Sequence, residues 1–390
     1  MAERLLYLLN VSNPQRLASD SGWLFADILT PALADQGTEV TVCCPVPVTD
    51  RRVRHVPLSG PGDKYGTRFT ADVAAIAALI RQVEPAVVVA NQIEHAAAVR
   101  AAMLAARSGA LLAGYCHYLP FHVDARGLQP DAAFRDGGLE VPVRMQFFTG
   151  LAACDRILVH SPVAADWLAS AAGAVNLDLS GRVRIVPPPR DPRLVAGPGE
   201  HADTGTGSGS GGLRVLYNHR LYEHYGTGRF IELAALLTAN PAIRLTVMDV
   251  TGSRARERRS LDASPERYAA ALADLPGTEL VSDRGDRSVY RSILARCDVA
   301  VAPFRPGCTW SMSVIDCQAM GVPVLAPRLG WLTGAVDPGL GFDEPHEAVK
   351  ITEDLLADPG HQAVLAAREA ARTRALAPEL IAARYLAAVT

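Results

Sequence analysis

The stretch best equipped for chemistry is residues 302–327, APFRPGCTWSMSVIDCQAMGVPVLAP. It reads as a strand ending at Pro303, a loop with Gly307, Cys308, Thr309, Trp310 and Ser311, and then a helix. The first amides of a helix have no partner within it, and the helix dipole is positive at that end. The amides around Met312 and Ser313 therefore offer a place for an anion. Asp316 follows within the helix, and Gly321, Val322 and Pro323 turn the chain into another buried strand. A second stretch, residues 215–226 (VLYNHRLYEHYG), places Arg220 just beyond a strand, where a guanidinium suits a phosphate-type oxyanion. His224, Tyr225 and Gly226 close that stretch. Nearer the N-terminus, Asp20, Ser21 and Gly22 open a helix. The glycine permits close approach of a ligand to the backbone, although the same residues also read as an ordinary helix cap. Asn91, Glu94 and His95 follow one apolar run, and His117 follows another in YCHYLPF (115–121). Each histidine has a plain alternative as a satisfied core or loop residue. No HExxH, GxSxG or P-loop pattern is present, and the loop after the first strand lacks GxGxxG. Metalloprotease, α/β-hydrolase, P-loop and dinucleotide oxidoreductase chemistries thus lack support.

These residues need elements to hold them. In the first half, strands are expected at 4–9, 39–44, 86–90, 111–115 and 156–160. Helices are expected at 23–36 (with Pro31 inside and Gly37 ending it), 71–83, 96–107 and 163–171. After Pro187, Pro188 and Pro189 the chain becomes irregular, through a Gly/Ser/Thr-rich run at 204–212 that reads as a flexible surface segment. The alternation then restarts, with strands at 214–217, 244–249, 280–282, 299–303 and 322–326. Helices are expected at 230–238, 265–275, 289–296 and 313–320, and a last Ala-rich helix at 378–389. Continuous apolar strands alternating with helices imply parallel sheets covered on both faces. The fold class is α/β, with two Rossmann-like domains facing a central cleft. The expected organisation is a first domain at 1–190, a flexible linker at 191–212, a second domain at 213–375 and a helix at 376–390 packing back on the first. In such sheets ligands bind outside the carboxyl ends of the strands.

The length of 390 residues suits two such domains. The net charge of −3 provides no general attraction to nucleic acid or an anionic membrane. Arg254, Arg256, Arg258 and Arg259 form a basic cluster that reads as a solvated face. The seven cysteines are odd in number and include no CxxC pair, which points to a reducing cytoplasm and away from disulfides or zinc. No apolar run approaches the ~18–20 residues of a membrane span, and the apolar run at 5–9 is too short for a signal peptide. The Ala-, Arg- and Gly-rich composition suits a GC-rich bacterial genome and a specialised-metabolite pathway of the antibiotic type.

The strand–loop–helix–turn at 302–327 resembles the second domain of retaining glycosyltransferases of the GT-B fold, family 4. The Gly-x-Pro turn matches at Gly321 and Pro323. Asp316 falls on the second of the family's two glutamates, which the resemblance assigns to the donor ribose. Cys308 falls on the first, which contacts the transferred sugar, and a thiol cannot accept hydrogen bonds as a carboxylate does. The resemblance also assigns donor-sugar contacts to the backbone of Thr309, Trp310 and Ser311, and diphosphate contacts to that of Met312 and Ser313. In 215–226, Arg220, Leu221 and Gly226 match, while Tyr225 stands where the family has a lysine; His224 is the candidate replacement cation. Residues 218–224 also resemble the tRNA-queuosine mannosyltransferase branch.

Ser21 and Gly22 fall where the family's glycine-rich loop meets the donor phosphate, and His117 where a histidine reaches the donor sugar. Base contacts fall near Ser282–Arg284, with Arg284 the named candidate. Asp20, Asn91, Glu94 and His95 are candidate acceptor contacts, and variable acceptor loops are expected at 60–70 and 124–144. The resemblance implies a metal-independent enzyme without a cofactor, using a nucleotide-diphosphate sugar as co-substrate and a small molecule as acceptor. His117 and Arg220 are its candidate catalytic residues, and a hinge is expected at 187–212. A sugar-nucleotide epimerase, a nucleoside- or tRNA-modifying transferase and a non-catalytic nucleotide-sugar binder stay open as alternatives.

Overall fold

The computed structural model describes residues 3–11, 14, 17, 20–58, 66–131, 138–197, 212–248 and 263–390. The chain divides into two units, Met1–Pro189 with Leu376–Thr390, and Arg190–Ala375.

The first unit holds a parallel sheet of β1 (Arg4–Leu8), β2 (Glu39–Cys44), β3 (Arg54–Pro57), β4 (Val87–Ala90), β5 (Leu111–Tyr115), β8 (Arg156–Val159) and β9 (Val183–Ile185), in the order β3-β2-β1-β4-β5-β8-β9. A short antiparallel hairpin, β6 (Phe121–Asp124) with β7 (Gly127–Pro130), stands apart from it. The central strands are buried along almost their whole length, because helices cover both faces. Those helices are α1 (Ser21–Asp35), α2 (Gly66–Phe69), α3 (Val73–Val83), α4 (Ala96–Ala105), α5 (Glu140–Ala153) and α6 (Pro162–Ala174). Their starts follow capping chemistry. Asp20, Asp72 and Ser161 each accept a hydrogen bond from an amide in the first turn of α1, α3 and α6, and Pro162 sits at the first position of α6. Pro31 lies inside α1, which continues through it.

The second unit holds β10 (Leu213–Tyr217), β11 (Ile243–Met248), β12 (Thr278–Val281), β13 (Val299–Val301), β14 (Val324–Pro327) and β15 (Gly341–Phe342), all parallel, in the order β12-β11-β10-β13-β14-β15. Around it lie α7 (Thr227–Thr238), α8 (Ser264–Ala273), α9 (Arg287–Ala295), α10 (Met312–Ala319), α11 (Leu332–Ala335), α12 (Pro345–Ala357) and α13 (Pro359–Arg372). The last helix, α14 (Pro378–Val389), belongs to the first unit, where it packs on α1 and β8 and buries Ile381, Ala382, Tyr385 and Val389. No helix of the described residues is long and apolar enough to cross a membrane.

Two sequence readings need correction. The region 124–144 is not simply a loop. It contains most of the hairpin and the start of α5, while 132–137 lie outside the described residues. The segment expected to be a flexible linker from 191 is fixed to the second unit at its start. Pro192–Leu194 form a 3-10 turn capped by Asp191, Leu194 is fully buried, and the Ala196 amide donates to the Ala319 carbonyl at 3.2 Å. The Gly/Ser-rich run up to 211, the cluster Arg254, Arg256, Arg258 and Arg259, Ser19 and residues 60–65 lie outside the described residues.

Candidate functional site

A doubly wound sheet reverses its strand order at one place, and ligands collect outside the carboxyl ends there. In the second unit the reversal falls between β10 and β13, which are hydrogen-bonded neighbours. The loop after β10 carries Asn218, His219, Arg220, His224 and Tyr225. The loop after β13 carries Arg305, Cys308, Thr309, Trp310 and Ser311 and leads into α10. Ser311 caps α10 by accepting from the Val314 amide at 3.4 Å, which leaves the helix's earliest amides to point outward. Arg220, His224, Tyr225, Trp310, Ser311 and Ser313 are half-buried, whereas Thr309, Met312 and Cys308 are buried. Asn218 ties the loop after β10 to α9 and α10. Its Nδ2 donates to the Tyr290 hydroxyl at 2.9 Å and to the Ser313 carbonyl at 3.4 Å. His219 is buried, and burial pushes its pKa down to about 3, so it is a neutral core histidine.

Asp316 is neither a solvated helix residue nor an open carboxylate. It is 2% exposed, one oxygen lies 3.3 Å from the Arg287 guanidinium, and Oδ1 meets no hydrogen-bond partner among the described residues. Arg287 also binds the fully buried Asp191 at 2.7 Å, and Arg193 binds Asp191 from the other side at 2.9 Å. Burial raises Asp191, but the guanidinium groups of Arg193 and Arg287 outweigh it and hold the carboxyl below its ordinary value. Asp316 has the reverse balance: burial, aided by the Asp191 charge, outweighs Arg287 and pushes its pKa up to about 7. Two buried acids thus share Arg287. Neither Arg287 nor Asp191 was singled out from the sequence. The available signal was Arg287 opening a helix capped by Asp286.

Cys308 occupies the position where the resemblance has a glutamate. Its thiol is buried, is pushed up to about 11 chiefly by that burial, and donates to the Trp310 carbonyl at 3.4 Å. It is neutral at ordinary pH and is a hydrogen-bond donor rather than a nucleophile. Arg284 lies exposed in the loop after β12 with φ +52, its amide donating to Ser282 Oγ at 3.2 Å. The structure records no contact linking it to Asp316.

In the first unit the strand order reverses between β1 and β4. A pocket of about 340 Å³ opens there, lined by Leu9, Asn10 and Val11 after β1 and by Asn91, Gln92 and His95 after β4, with Leu58 and Thr70 among the remaining wall residues. Asn10 donates to Gln92 at 2.7 Å across it. Asn91 is buried, and its Oδ1 accepts from both the Tyr7 hydroxyl and His117 Nε2. An amide oxygen can only accept, so His117 carries its proton on Nε2. Burial also pushes the His117 pKa down to about 3, so the ring is neutral. His117 packs against Phe25, Tyr115 and His160, with ring centroids at 5.1, 4.7 and 5.7 Å.

Asn91 and His95 therefore line the pocket, but Glu94 does not. It faces inward from the turn Ile93–His95, is 1% exposed, and pairs with Arg68 and the Tyr118 hydroxyl. In a 3-10 turn successive side chains point about 120° apart, so neighbours of an inward residue face elsewhere. Asp20 accepts from the Trp23 amide at 3.0 Å as the α1 cap. Ser21 is exposed, and a Cβ on Gly22 would lie 3.3 Å from Asp20 Oδ1 and 3.4 Å from Asn91 Nδ2. Gly22 thus stands beside Asn91. Asn10, Gln92 and Tyr7 were missed from the sequence, since polar residues near strand ends are common and nothing local marks these.

Residues 25–194 match the model of Glycosyltransferase Family 4. Three similar solved structures cover nearly everything described. The first is HepE of Anabaena in complex with UDP and glucose, at 16% identity over 98% of each chain with a TM-score of 0.67. The second is sucrose-phosphate synthase from Thermosynechococcus elongatus, at 18% identity over 99% of this chain and 98% of that one, TM-score 0.72. The third is an E. coli trehalose-6-phosphate protein bound with UDP-2-fluoro glucose, at 12% identity over 99% of each chain, TM-score 0.66. No curated protein sequence matches the chain. The family match thus covers less than half of the chain, and the likeness to these solved structures is one of fold.

Proposed function

We propose that this chain, with its Glycosyltransferase Family 4 match over residues 25–194, transfers a sugar from a nucleotide-diphosphate donor to a small-molecule acceptor, with retention and without a metal ion. The observation that carries this reading is the second unit's reversal point, where Arg220 and the N-terminus of α10 stand on loops from adjacent strands. Cationic and amide donors are what a departing diphosphate needs, because negative charge develops on it as the bond to the sugar breaks. The UDP complexes of HepE and of the E. coli protein support the same donor class.

In the proposed step an acceptor hydroxyl oxygen bonds to the sugar's anomeric carbon while the carbon–oxygen bond to the diphosphate breaks on the same face. The hydroxyl proton passes to the departing phosphate oxygen. No protein nucleophile is needed, consistent with the neutral thiol of Cys308. Asp316 takes the ribose hydroxyls through Oδ1. His117, neutral and fixed in orientation by Asn91, serves as a hydrogen-bonding group for the sugar and not as an acid. The first-unit pocket takes the acceptor through Asn10, Gln92 and His95. The acceptor is proposed to be a specialised metabolite.

The Cys308 thiol also favours a second reading, a protein that binds nucleotide sugars without turnover. A thermal-shift screen of UDP, GDP, dTDP, ADP and their sugar conjugates, on wild type and Arg220→Gln, tests the donor assignment. Stabilisation of wild type by a diphosphate and its loss in the variant are expected. Absence of any stabilisation removes the donor reading, and an inverted product anomer removes retention. Binding without turnover on any acceptor selects the second reading.

A further inference from the structure

The loops after β10 and β13 touch at Gly226, which has φ +69 and whose added Cβ would lie 2.4 Å from the Phe304 carbonyl oxygen. That contact sets Tyr225 beside Arg305. The Arg305 guanidinium carbon lies 5.4 Å from the Tyr225 ring centroid, within cation–π range. The charge of Arg305 also reaches the Cys308 thiol, which it pulls down against the larger effect of burial. Two acidic residues of these elements have cationic or hydroxyl partners of their own. Glu223 pairs with Tyr268 and Arg267, and Asp316 with Arg287. Arg229 adds a third guanidinium, 5.6 Å from the Phe304 ring centroid. Arg220, Arg305 and Arg229 thus all stand on or beside these two loops.

We infer that Arg305 is a second phosphate-binding cation of the donor site, shelved on the Tyr225 ring so that its charge stands at the loop position where Tyr225 itself brings none. A stack occupies the face of a guanidinium, while its N–H donors lie in the plane, at the edges that the ring does not cover. Arg220 and Arg305 then divide the two phosphates between them, each from its own strand end. This inference rests on the donor reading above and assigns a residue that the sequence left without a role.

The test is calorimetric titration of the full chain with UDP, GDP, dTDP and ADP, and with the monophosphate of whichever base binds. Loss of one charge-assisted contact weakens binding by roughly ten- to a hundredfold. Arg305→Gln is expected to lose that much for the diphosphate while the monophosphate falls by less than about threefold. Arg328→Gln, which removes an equal charge from an exposed pair with Asp343 in the same unit, is expected to leave both unchanged. If Arg305→Gln melts early, Arg305→Lys is used instead. It keeps the charge but not the planar fork, and a fall of about three- to tenfold for the diphosphate is expected. Unchanged diphosphate affinity, or an equal fall for both nucleotides, overturns the inference and leaves the donor reading standing. A wild type that binds none of the four diphosphates overturns the donor reading itself.

Discussion

Replacing Asp316 by Asn should remove the pH dependence that this one side chain imposes on stability. In the folded protein the carboxyl is buried and is pushed from an ordinary 3.8 up to about 7. Below pH ~4 both folded and unfolded chains hold the proton, and Asp316 costs nothing. Between pH 4 and 7 the unfolded chain releases the proton while the folded chain keeps it, so stability falls as pH rises. Above 7 the folded chain carries the full cost, about 4 kcal/mol at most for a displacement of this size. Asn has the same shape and no charge, and Arg287 keeps its contact with Asp191 at 2.7 Å. The variant should therefore gain on wild type by about 1.4 kcal/mol per pH unit between 5 and 7, and the gain should level off above 7. Urea denaturation of both proteins at pH 5, 6, 7 and 8 measures this difference, and effects common to both cancel. A difference that is flat across the range would show that Arg287 keeps Asp316 ionised throughout. A difference that falls with pH would refute the burial argument outright.

Other perturbations follow from the same geometry. Asn91→Leu strands the Tyr7 hydroxyl and the His117 Nε2–H without their shared acceptor, and should cost roughly 2–4 kcal/mol in urea denaturation. Gly226→Ala forces a side chain onto a backbone with φ +69 and into the Phe304 carbonyl. It should destabilise by at least about 1–3 kcal/mol and abolish diphosphate binding in the calorimeter. All seven cysteines are buried and free, and burial raises the pKa of each. The native protein should thus give a thiol titre near zero with a disulfide reagent at pH 7.5, rising to seven once denatured.

The elements that the sequence announces clearly are those with one unambiguous pattern. β2, β5 and α14 fall at the expected residues, because unbroken apolar strands and a Pro-started Ala-rich helix have few competing readings. α5 was not read as a helix. It buries Val143, Phe147, Phe148 and Leu151 yet leaves Val141 and Met145 exposed, so no clean apolar stripe appears. β3 and β9 are short edge strands, half-buried and without alternation. At the sites, what the backbone supplies was legible: the α10 N-terminus lies where strand, loop and helix follow one another in sequence. The Asp191–Arg287 contact joins residues 96 positions apart, and no local pattern encodes such a meeting. For Glu94, the expectation that neighbours in sequence share a surface failed, because a tight turn sends each side chain in a different direction.

The return of α14 to the first unit has a consequence for how the protein is made. The second unit, Arg190–Ala375, is one uninterrupted length of chain, while the first is finished only by residues that follow it. A ribosome adding roughly 5–20 residues each second spends roughly ten to forty seconds on the intervening length. Throughout that interval the nascent first unit lacks Tyr385, whose ring stacks 6.2 Å from that of Tyr115, and α1 lacks the helix that covers it. The second unit can therefore reach its native state during synthesis, whereas the layer of aromatic rings around His117 is sealed only once α14 has followed it.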